Sequence, residues 1–187
     1  LPYTIGDYLS NDIKTGPISS DSKEFEEAEK GVKDQLHKFL SIKGEHPVDY
    51  FHKKLGKIMW DKCGMSRNEK ELKDAINEIQ ELKDEFWSNV NVPGSADTKN
   101  SELEKAARVA DFLELGELFA KDALERNESC GGHFREEYQT EEGEALRDDE
   151  NYRYVAAWEY TGKPSEAKLH KEQLVYENIE LKTRSYK

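Results

Sequence analysis

The sequence has few of the residues that support disulfide bonding, metal binding or membrane insertion. Its only two cysteines, Cys63 and Cys130, make neither a disulfide framework nor a four-ligand zinc site, so a reducing compartment is expected. No apolar run approaches the roughly 20 residues that a membrane helix requires. No basic and then apolar leader precedes the first helical pattern. These absences predict a soluble segment with no direct membrane insertion.

Positive charge is scarce relative to negative charge. The 187 residues include 28 Lys and Arg against 40 Asp and Glu, which leaves a formal net charge of −12. This sign opposes the counterion release that drives nucleic-acid binding, so no nucleic-acid partner is expected. Hydrophobic residues make up 35% and charged residues 36%, a balance between solvated helical proteins and disordered chains. Three Trp, nine Tyr and seven Phe favour a folded chain.

Residues 1–46 are predicted to form an irregular arm followed by one helix. Glycines and prolines before residue 20 interrupt any hydrophobic period. A helix is then predicted from Asp21, with Glu24 as its capping-box partner, to about Ser41. Because the chain begins at Leu1 rather than Met, we expect it to be a piece of a longer protein.

Residues 47–127 contain three apolar patterns of helical period, each opened by a start signal. Proline suits the first turn of a helix, and a Ser or Asn followed three residues later by Glu can satisfy free backbone N–H groups. The start signals are Pro47, Asn68 with Glu71, and Ser101 with Glu104. We therefore predict a mostly α fold whose core is a three-helix bundle similar to a spectrin repeat, with an extra N-terminal helix beside it.

Residues 128–187 lack helical periodicity and are predicted to form an irregular and β tail that packs on the bundle. Two segments, 155–160 and 174–179, have the composition of short strands, and we expect them to pair in a small sheet. The acidic run 148–150 lacks the alternate spacing and central glycine of a calcium loop. It is predicted to be a solvated turn.

Cys130 and His133 suggest either a thiol nucleophile with its base or half of a metal site, and the local sequence opposes both. Cys130 follows the predicted C-terminal end of a helix, where the helix dipole disfavours a thiolate. Nothing in the sequence places further zinc ligands with this pair. The simpler interpretation is that the glycines at 131–132 end the helix and direct His133, Phe134 and Arg135 toward another surface. We expect no catalytic, cofactor-binding or metal-binding residue here.

An ordered set of motifs in the last third of the chain is more informative than any one residue. The set is Glu128, Ser129, Gly131, His133, Arg135 and Tyr138, followed by Arg147, Asp148 and Asp149. It resembles the end of the flavoprotein subunit of succinate dehydrogenase and fumarate reductase, which reads Glu-Ser-x-Gly-x-His-x-Arg, an aromatic residue and Arg-Asp-Asp. Segments 52–61 and 181–187 also resemble that family. Many members have arginine where Cys130 stands and proline where Gln139 stands, so no role carries over to Cys130.

The resemblance implies a parent protein that interconverts succinate and fumarate with FAD and passes electrons to an iron–sulfur subunit. It places the flavin-binding fold and the reactive residues upstream of this segment, so we expect no cofactor here and no activity from the segment alone. The implied partners are the flavin-binding domain of the parent chain and the iron–sulfur subunit. The implied location is the cytoplasmic side of the inner membrane, within a membrane-bound complex.

In such a parent the segment has a structural role. Arginine beside aromatic residues is enriched at interfaces. On this ground the predicted contacts with the flavin domain are His133, Phe134, Arg135, Tyr138 and Trp158. The same residues could instead close the end of the bundle itself.

Two interpretations from other functional classes stay open. One is a free-standing helical interaction module that binds a peptide or a partner helix in an exposed apolar groove. The other is a small cysteine hydrolase that uses Cys130 and His133.

Overall fold

The computed structural model describes residues 1–12 and 19–182, and the chain divides into two compact units. The first unit is Leu1–His37 and the second is Lys38–Lys187. The predicted mostly α fold is confirmed. Among the described residues, no helix combines the length and apolar character that crossing a bilayer requires.

The N-terminal arm was predicted to be irregular, and over residues 1–12 this prediction was wrong. Helix α1 spans Pro2–Asp7 and continues into a π-helical turn over Tyr8–Asp12. Proline is suited to a first helical turn, because its fixed φ matches the helix and its missing N–H has no partner there anyway. Residues 13–18 of the predicted arm lie outside the described residues. Residues 183–187, part of the segment with family resemblance, lie outside them too.

Helix α2 spans Lys23–Ile42, so the predicted first helix is confirmed to within two residues at its start. Ser22, rather than the predicted Asp21, precedes the first helical residue, and its carbonyl oxygen accepts from the N–H of Glu26 at 3.2 Å. Near the C-terminal end of α2, Phe39 is fully buried and stacks on Trp87 at 5.0 Å between ring centroids.

Three helices form the bundle of the second unit. Helix α3 spans Val48–Lys62, α4 spans Glu69–Asn89 and α5 spans Ser101–Glu125. Apolar side chains spaced by three and four residues meet along its axis, and burying each contributes about 1.5–3 kcal/mol. The largest are Phe51, Leu55, Ile58, Leu72, Ile79, Leu82, Phe86 and Leu113.

The caps of α4 and α5 are both asparagines. Asn68 accepts from the N–H of Glu71 at 2.9 Å, as predicted. Ser101 was predicted to open α5, but Asn100 is the cap and accepts from the N–H of Leu103 at 3.1 Å. The Asn100 amide also donates to the carbonyl oxygen of Pro93 at 2.8 Å, so one side chain both caps the helix and holds the preceding loop.

A two-residue parallel strand pair connects the beginning of α3 with the end of α4. Strand β1 is His46–Pro47 and β2 is Val90–Asn91. Beside this pair, a Cβ atom on Gly44 would lie 2.0 Å from the carbonyl carbon of Asn89, so only glycine fits.

The tail contains a one-turn helix and one antiparallel strand pair. Helix α6 spans Asp149–Tyr152, β3 spans Tyr154–Glu159 and β4 spans Lys168–Gln173, with Trp158 opposite Leu169. The second strand was predicted over 174–179, and this prediction was wrong. Apart from the half-buried Leu169, strand β4 consists of exposed polar residues, so no hydrophobic alternation marks it.

Candidate functional site

The motif residues of the tail converge on the C-terminal end of α5. Arg135 is 1% exposed, and its Nη1 donates to the carbonyl oxygens of Ala123 at 3.1 Å and Leu124 at 3.3 Å. Its Nε donates to Oε2 of Glu137 at 3.2 Å. The last carbonyl groups of a helix lack partners within it and carry partial negative charge. Arg135 therefore caps α5 with a cation.

Glu128 and Ser129 are buried beside this cap and are fully used in hydrogen bonds. Ser129 Oγ accepts from the N–H of Arg135 at 2.8 Å and donates to the Arg135 carbonyl oxygen at 3.1 Å. Glu128 Oε1 accepts from Arg126 Nη1 at 2.6 Å, and its Oε2 accepts from the N–H of Asp148 at 2.8 Å. Because unpaired buried polar groups are costly, these pairings hold the start of the tail against the helix end.

His133 is half-buried, and both of its ring nitrogens have partners. Nε2 lies 2.9 Å from the carbonyl oxygen of Arg126, and Nδ1 lies 3.0 Å from Arg67 Nη1. A guanidinium only donates and a carbonyl only accepts, so these partners select a neutral ring with its proton on Nε2. Burial lowers the pKa of His133, and the charges of Arg67, Arg135 and Arg126 also lower it. Neither nitrogen is free to serve Cys130 as a base.

Cys130 is exposed, and its backbone forms a tight turn with His133. The N–H of Cys130 donates to the His133 carbonyl oxygen at 2.8 Å, and the reverse hydrogen bond is 3.0 Å. Gly131 has a φ of 59° in this turn, which favours glycine. The glycines were predicted to end the preceding helix, but α5 already ends at Glu125. In residues 1–12 and 19–182, no three His, Cys, Asp or Glu side chains form a group that could hold a metal ion.

The acidic run at 148–150 was predicted to be a solvated turn and instead starts helix α6. Asp148 caps the helix by accepting from the N–H of Asn151 at 3.1 Å. Asp149 pairs with Arg147, with 2.5 Å between Oδ2 and Nη2. Both carboxylates therefore have structural roles.

Phe134 and Tyr138, two of the predicted contact residues, lie beside Arg135 at the helix end. Phe134 is half-buried, and its carbonyl oxygen accepts from the N–H of Arg67 at 3.1 Å. The Tyr138 ring lies 5.6 Å from the Arg135 guanidinium. The structure therefore brings His133, Phe134, Arg135 and Tyr138 together.

Trp158, the fifth predicted contact residue, lies apart from the other four along the side of α5. Its Nε1 donates to Asp122 Oδ1 at 2.7 Å, and Lys121 Nζ lies 4.7 Å from its ring centroid. The same Lys121 donates to the carbonyl oxygens of Pro164, Ser165 and Ala167 at 3.0 to 3.2 Å. This contact holds the turn between β3 and β4 on α5.

An open apolar groove runs between α5 and β3. A cavity of about 380 Å³ and another of about 510 Å³ share the side chains of Leu115, Leu118 and Trp158. Leu115 is 59% and Phe119 46% exposed, although both lie in the middle of the longest helix. No prediction from the sequence located this groove. The spacing of Phe112, Leu115 and Phe119 is a second helical stripe that could have indicated an outward apolar face.

The groove continues past the helix end to the loop between α3 and α4. A cavity of about 240 Å³ shares Phe119 and Arg126 with the groove, and its rim includes Arg67. Arg67 also borders a cavity of about 530 Å³ beside Trp60 and Met65, which are 83% and 90% exposed. We call this continuous strip, from Trp158 through Leu115, Phe119 and Arg67 to Trp60 and Met65, the α5 surface.

The described residues do not fit an FAD site. A dinucleotide fold needs a parallel sheet whose first strand leads through a glycine-rich turn into a helix, where the pyrophosphate binds. The strands described form only two-stranded sheets, and the parallel one has two residues per strand. No described helix follows a Gly-x-Gly turn.

Comparison with known proteins gives one consistent result. Residues 52–186 match the profile of a family described as the fumarate reductase flavoprotein C-terminus. The chain is 31% identical over 156 residues to the fumarate reductase flavoprotein subunit of Helicobacter pylori strain J99, covering 82% of this chain and 21% of that one. It is 36% identical over 142 residues to an uncharacterized FAD-dependent oxidoreductase of Methanocaldococcus jannaschii, covering 71% and 25%. The chain thus spans a fifth to a quarter of the length of these curated relatives.

Solved structures show the same fold. The Mycobacterium smegmatis Sdh1 complex in its apo form contains a chain that is 26% identical and superposes with a TM-score of 0.71, covering 90% of this chain and 27% of that one. A quinol-fumarate reductase with menaquinol molecules gives a TM-score of 0.73 at 20% identity, covering 90% and 28%. The second likeness is one of fold alone.

Proposed function

This chain belongs to the fumarate reductase flavoprotein C-terminal family, and we propose that it is the helical supporting domain of a longer FAD-dependent flavoprotein. The longer protein interconverts succinate and fumarate and passes electrons to an iron–sulfur subunit. FAD and the reacting residues belong to the remainder of that protein. This chain contributes a rigid platform on which the remainder packs.

The α5 surface is the observation that carries this proposal. Single exposed apolar residues are ordinary, whereas a contiguous strip of large apolar side chains usually marks a protein contact. Leu115 and Phe119 are 59% and 46% exposed in the groove along α5, and Trp60 and Met65, on the other side of Arg67, are 83% and 90% exposed. Curated relatives are about three to four times as long as the chain, which provides a partner for that strip within one polypeptide.

The five predicted contact residues have different roles in this proposal. Trp158 lies on the α5 surface, and His133 borders the cavity of about 240 Å³ that belongs to it, so both can touch the flavin-binding domain. Phe134 and Tyr138 are half-buried and present only part of their rings. Arg135 is 1% exposed, so it positions the surrounding turn and makes no direct contact.

The assembly and location follow from the same proposal. We expect the longer protein to bind an iron–sulfur subunit in a membrane-bound complex on the cytoplasmic side of the inner membrane. We expect the chain alone to bind no flavin and to give no succinate-dependent dye reduction, because the cofactor carries the redox chemistry.

Substitution on the α5 surface tests the proposal in the longer protein. Leu115→Glu introduces a charge at a position that is 59% exposed, so the isolated chain should remain folded. In the longer protein we expect the same change to reduce flavin retention and succinate-dependent dye reduction. The matched control is Val175→Glu, at a position that is 85% exposed and outside the α5 surface. Equal activity of both variants and the wild type would contradict the proposal.

The coding sequence upstream of Leu1 supplies an independent check. We expect it to continue in frame and to encode a Gly-x-Gly-x-x-Gly strand–turn–helix. A start codon directly before Leu1 would exclude the proposal and favour the free-standing interaction module. That alternative has support in the groove along α5, since a groove of about 510 Å³ with an apolar floor also suits a separate partner helix.

A further inference from the structure

Arg67 is a cation without a carboxylate partner at the centre of the α5 surface. Its Nε donates to the Gly64 carbonyl oxygen at 2.9 Å, and its Nη1 donates to His133 Nδ1 at 3.0 Å. The Phe119 ring centroid lies 5.0 Å from its guanidinium carbon. None of these partners is charged. No carboxylate of the described part of the chain forms an ion pair with Arg67, whereas Arg126 and Arg135 each have one.

Because Arg67 is half-buried and has no opposite charge beside it, its charged form costs free energy. Burial lowers the pKa of Arg67, and the nearby Arg135 lowers it further, while Cys63 opposes both. A half-buried guanidinium loses part of its hydration, and only an opposite charge with hydrogen bonds offsets that loss fully. The site is therefore incomplete in this chain.

The cavity beside Arg67 has room for a carboxylate, and Arg67 supplies a cation at one end of it. Its volume is about 240 Å³, and Arg67, Arg126 and His133 line it together with Phe119 and Asp122. Glu128 neutralises Arg126, and Asp122 accepts from the Trp158 indole N–H. Asp122 reduces the attraction for an anion, so that attraction is local to the end of the cavity formed by Arg67, the arginine that forms no ion pair among the described residues.

We propose that this cavity binds the carboxylate of an aspartate or glutamate side chain from the part of the longer protein that packs on the α5 surface. A guanidinium can give a carboxylate two parallel N–H hydrogen bonds, which fixes orientation as well as position. The inserted side chain sets the register of the two parts. The assignment of the carboxylate to the longer protein rests on the proposed function. The affinity of the cavity for carboxylates is independent of that function.

Titration of the chain with sodium acetate tests the carboxylate affinity directly. The probe is the Nε–Hε signal of Arg67 in a ¹⁵N-labelled sample, at constant ionic strength maintained with sodium chloride. Arg108 is the matched control, because it is an exposed arginine on α5 that already pairs with Glu104. We expect the Arg67 signal to shift and saturate at an acetate concentration about tenfold lower than at Arg108, a difference typical of a charge-assisted hydrogen bond.

Each outcome of the titration decides the proposal. Equal responses of Arg67 and Arg108, or no response at Arg67, overturn it. Arg67→Lys keeps the charge and removes the planar fork, so acetate should then bind at least several-fold more weakly. The wild-type titration does not depend on the folding of any variant.

The longer protein identifies the source of the carboxylate. When a side chain occupies the cavity, the Arg67 signal is already shifted and does not respond to added acetate or succinate. A continued response to acetate in the longer protein overturns the side-chain source even when the chain itself binds acetate. Failure of the proposed function is a separate result, because flavin retention in Leu115→Glu would then equal that of the wild type, and the acetate titration of this chain would be unaffected.

Discussion

The bundle and the tail of the second unit are held together by different forces. Apolar side chains such as Phe86 and Leu113 fill the bundle, and both are completely buried. Of the four buried polar residues among those described, three lie in the tail, namely Glu128, Ser129 and Arg135. The tail buries few large apolar side chains and depends on hydrogen bonds with the end of α5.

This difference separates two kinds of stability within one unit. Apolar burial is non-directional and tolerates small shifts, whereas a buried charge is stabilising only when each of its partners is in place. The bundle should therefore determine whether the chain folds, and the tail should determine the shape of the α5 surface.

Phe86→Ala should have the largest effect because it removes a fully buried ring from the core. Phe86 is fully buried against Phe39, Phe51 and Trp87. We expect a loss of about 3–5 kcal/mol in the free energy of unfolding, measured by urea denaturation. Bundle and tail amides should lose protection together. A loss confined to the tail would contradict the assigned role of the bundle.

Arg135→Met should lower the free energy of unfolding by about 2–3 kcal/mol, because it leaves carbonyl groups of α5 and the Glu137 carboxylate without their cation. Methionine keeps much of the side-chain volume, so the loss reports hydrogen bonding. Hydrogen exchange should accelerate in the tail while α4 stays protected. The control, Arg108→Met at an exposed ion pair, should change stability by less than about 0.5 kcal/mol. Uniform loss of protection would remove the distinction between the two regions.

Lys121→Met should release the β3–β4 turn at a cost of about 1 kcal/mol. Its ammonium group donates to three carbonyl oxygens of that turn and lies over the Trp158 ring. We expect the tryptophan emission to shift to longer wavelength as Trp158 becomes more hydrated. Lys57→Met is the control, because Lys57 forms an exposed pair with Asp61 on α3. An unchanged emission spectrum would show that the turn stays on α5 without the lysine.

The tail should also respond to pH through His133. Burial places the pKa of His133 in the folded chain below its ordinary value of 6.5, so the unfolded chain binds more protons just below pH 6.5. The neutral His133 ring therefore costs no stability above about pH 6.5, and the free energy of unfolding declines as the pH falls from there toward the folded-state pKa. Urea denaturation between pH 7.5 and 5 should show a smaller decline for His133→Gln than for the wild type. If the free energy of unfolding declined equally with pH in the wild type and in His133→Gln, the assignment of a neutral, half-buried His133 ring would be wrong.

The two regions also differed in how well the sequence predicted them. Spacings of three and four residues identify the buried faces of α3, α4 and α5, and Asn68 with Glu71 identifies the start of α4. The partners of Arg135 are mainly backbone carbonyl oxygens, which no residue pattern encodes. The family resemblance therefore located Arg135 without indicating that it caps α5.

The α5 surface was missed for a related reason. A bundle helix is expected to bury one apolar stripe in the core. The sequence alone assigns no role to apolar residues on its other side. Leu115 and Phe119 line a groove because β3 packs beside them, and the sequence does not predict that packing. Arg67 was missed because its missing partner lies outside the described chain.

Oxidative footprinting can show whether the rest of the longer protein covers the α5 surface. Hydroxyl-radical labelling of Trp60, Met65 and Phe119 would be compared between the isolated chain and the longer protein, with free methionine added to both as a dose reference. The side chains of Trp60 and Met65 are 83% and 90% exposed, so both should label strongly in the isolated chain. We expect the longer protein to protect Trp60, Met65 and Phe119 together, whereas equal labelling in both samples would show that the α5 surface is not covered.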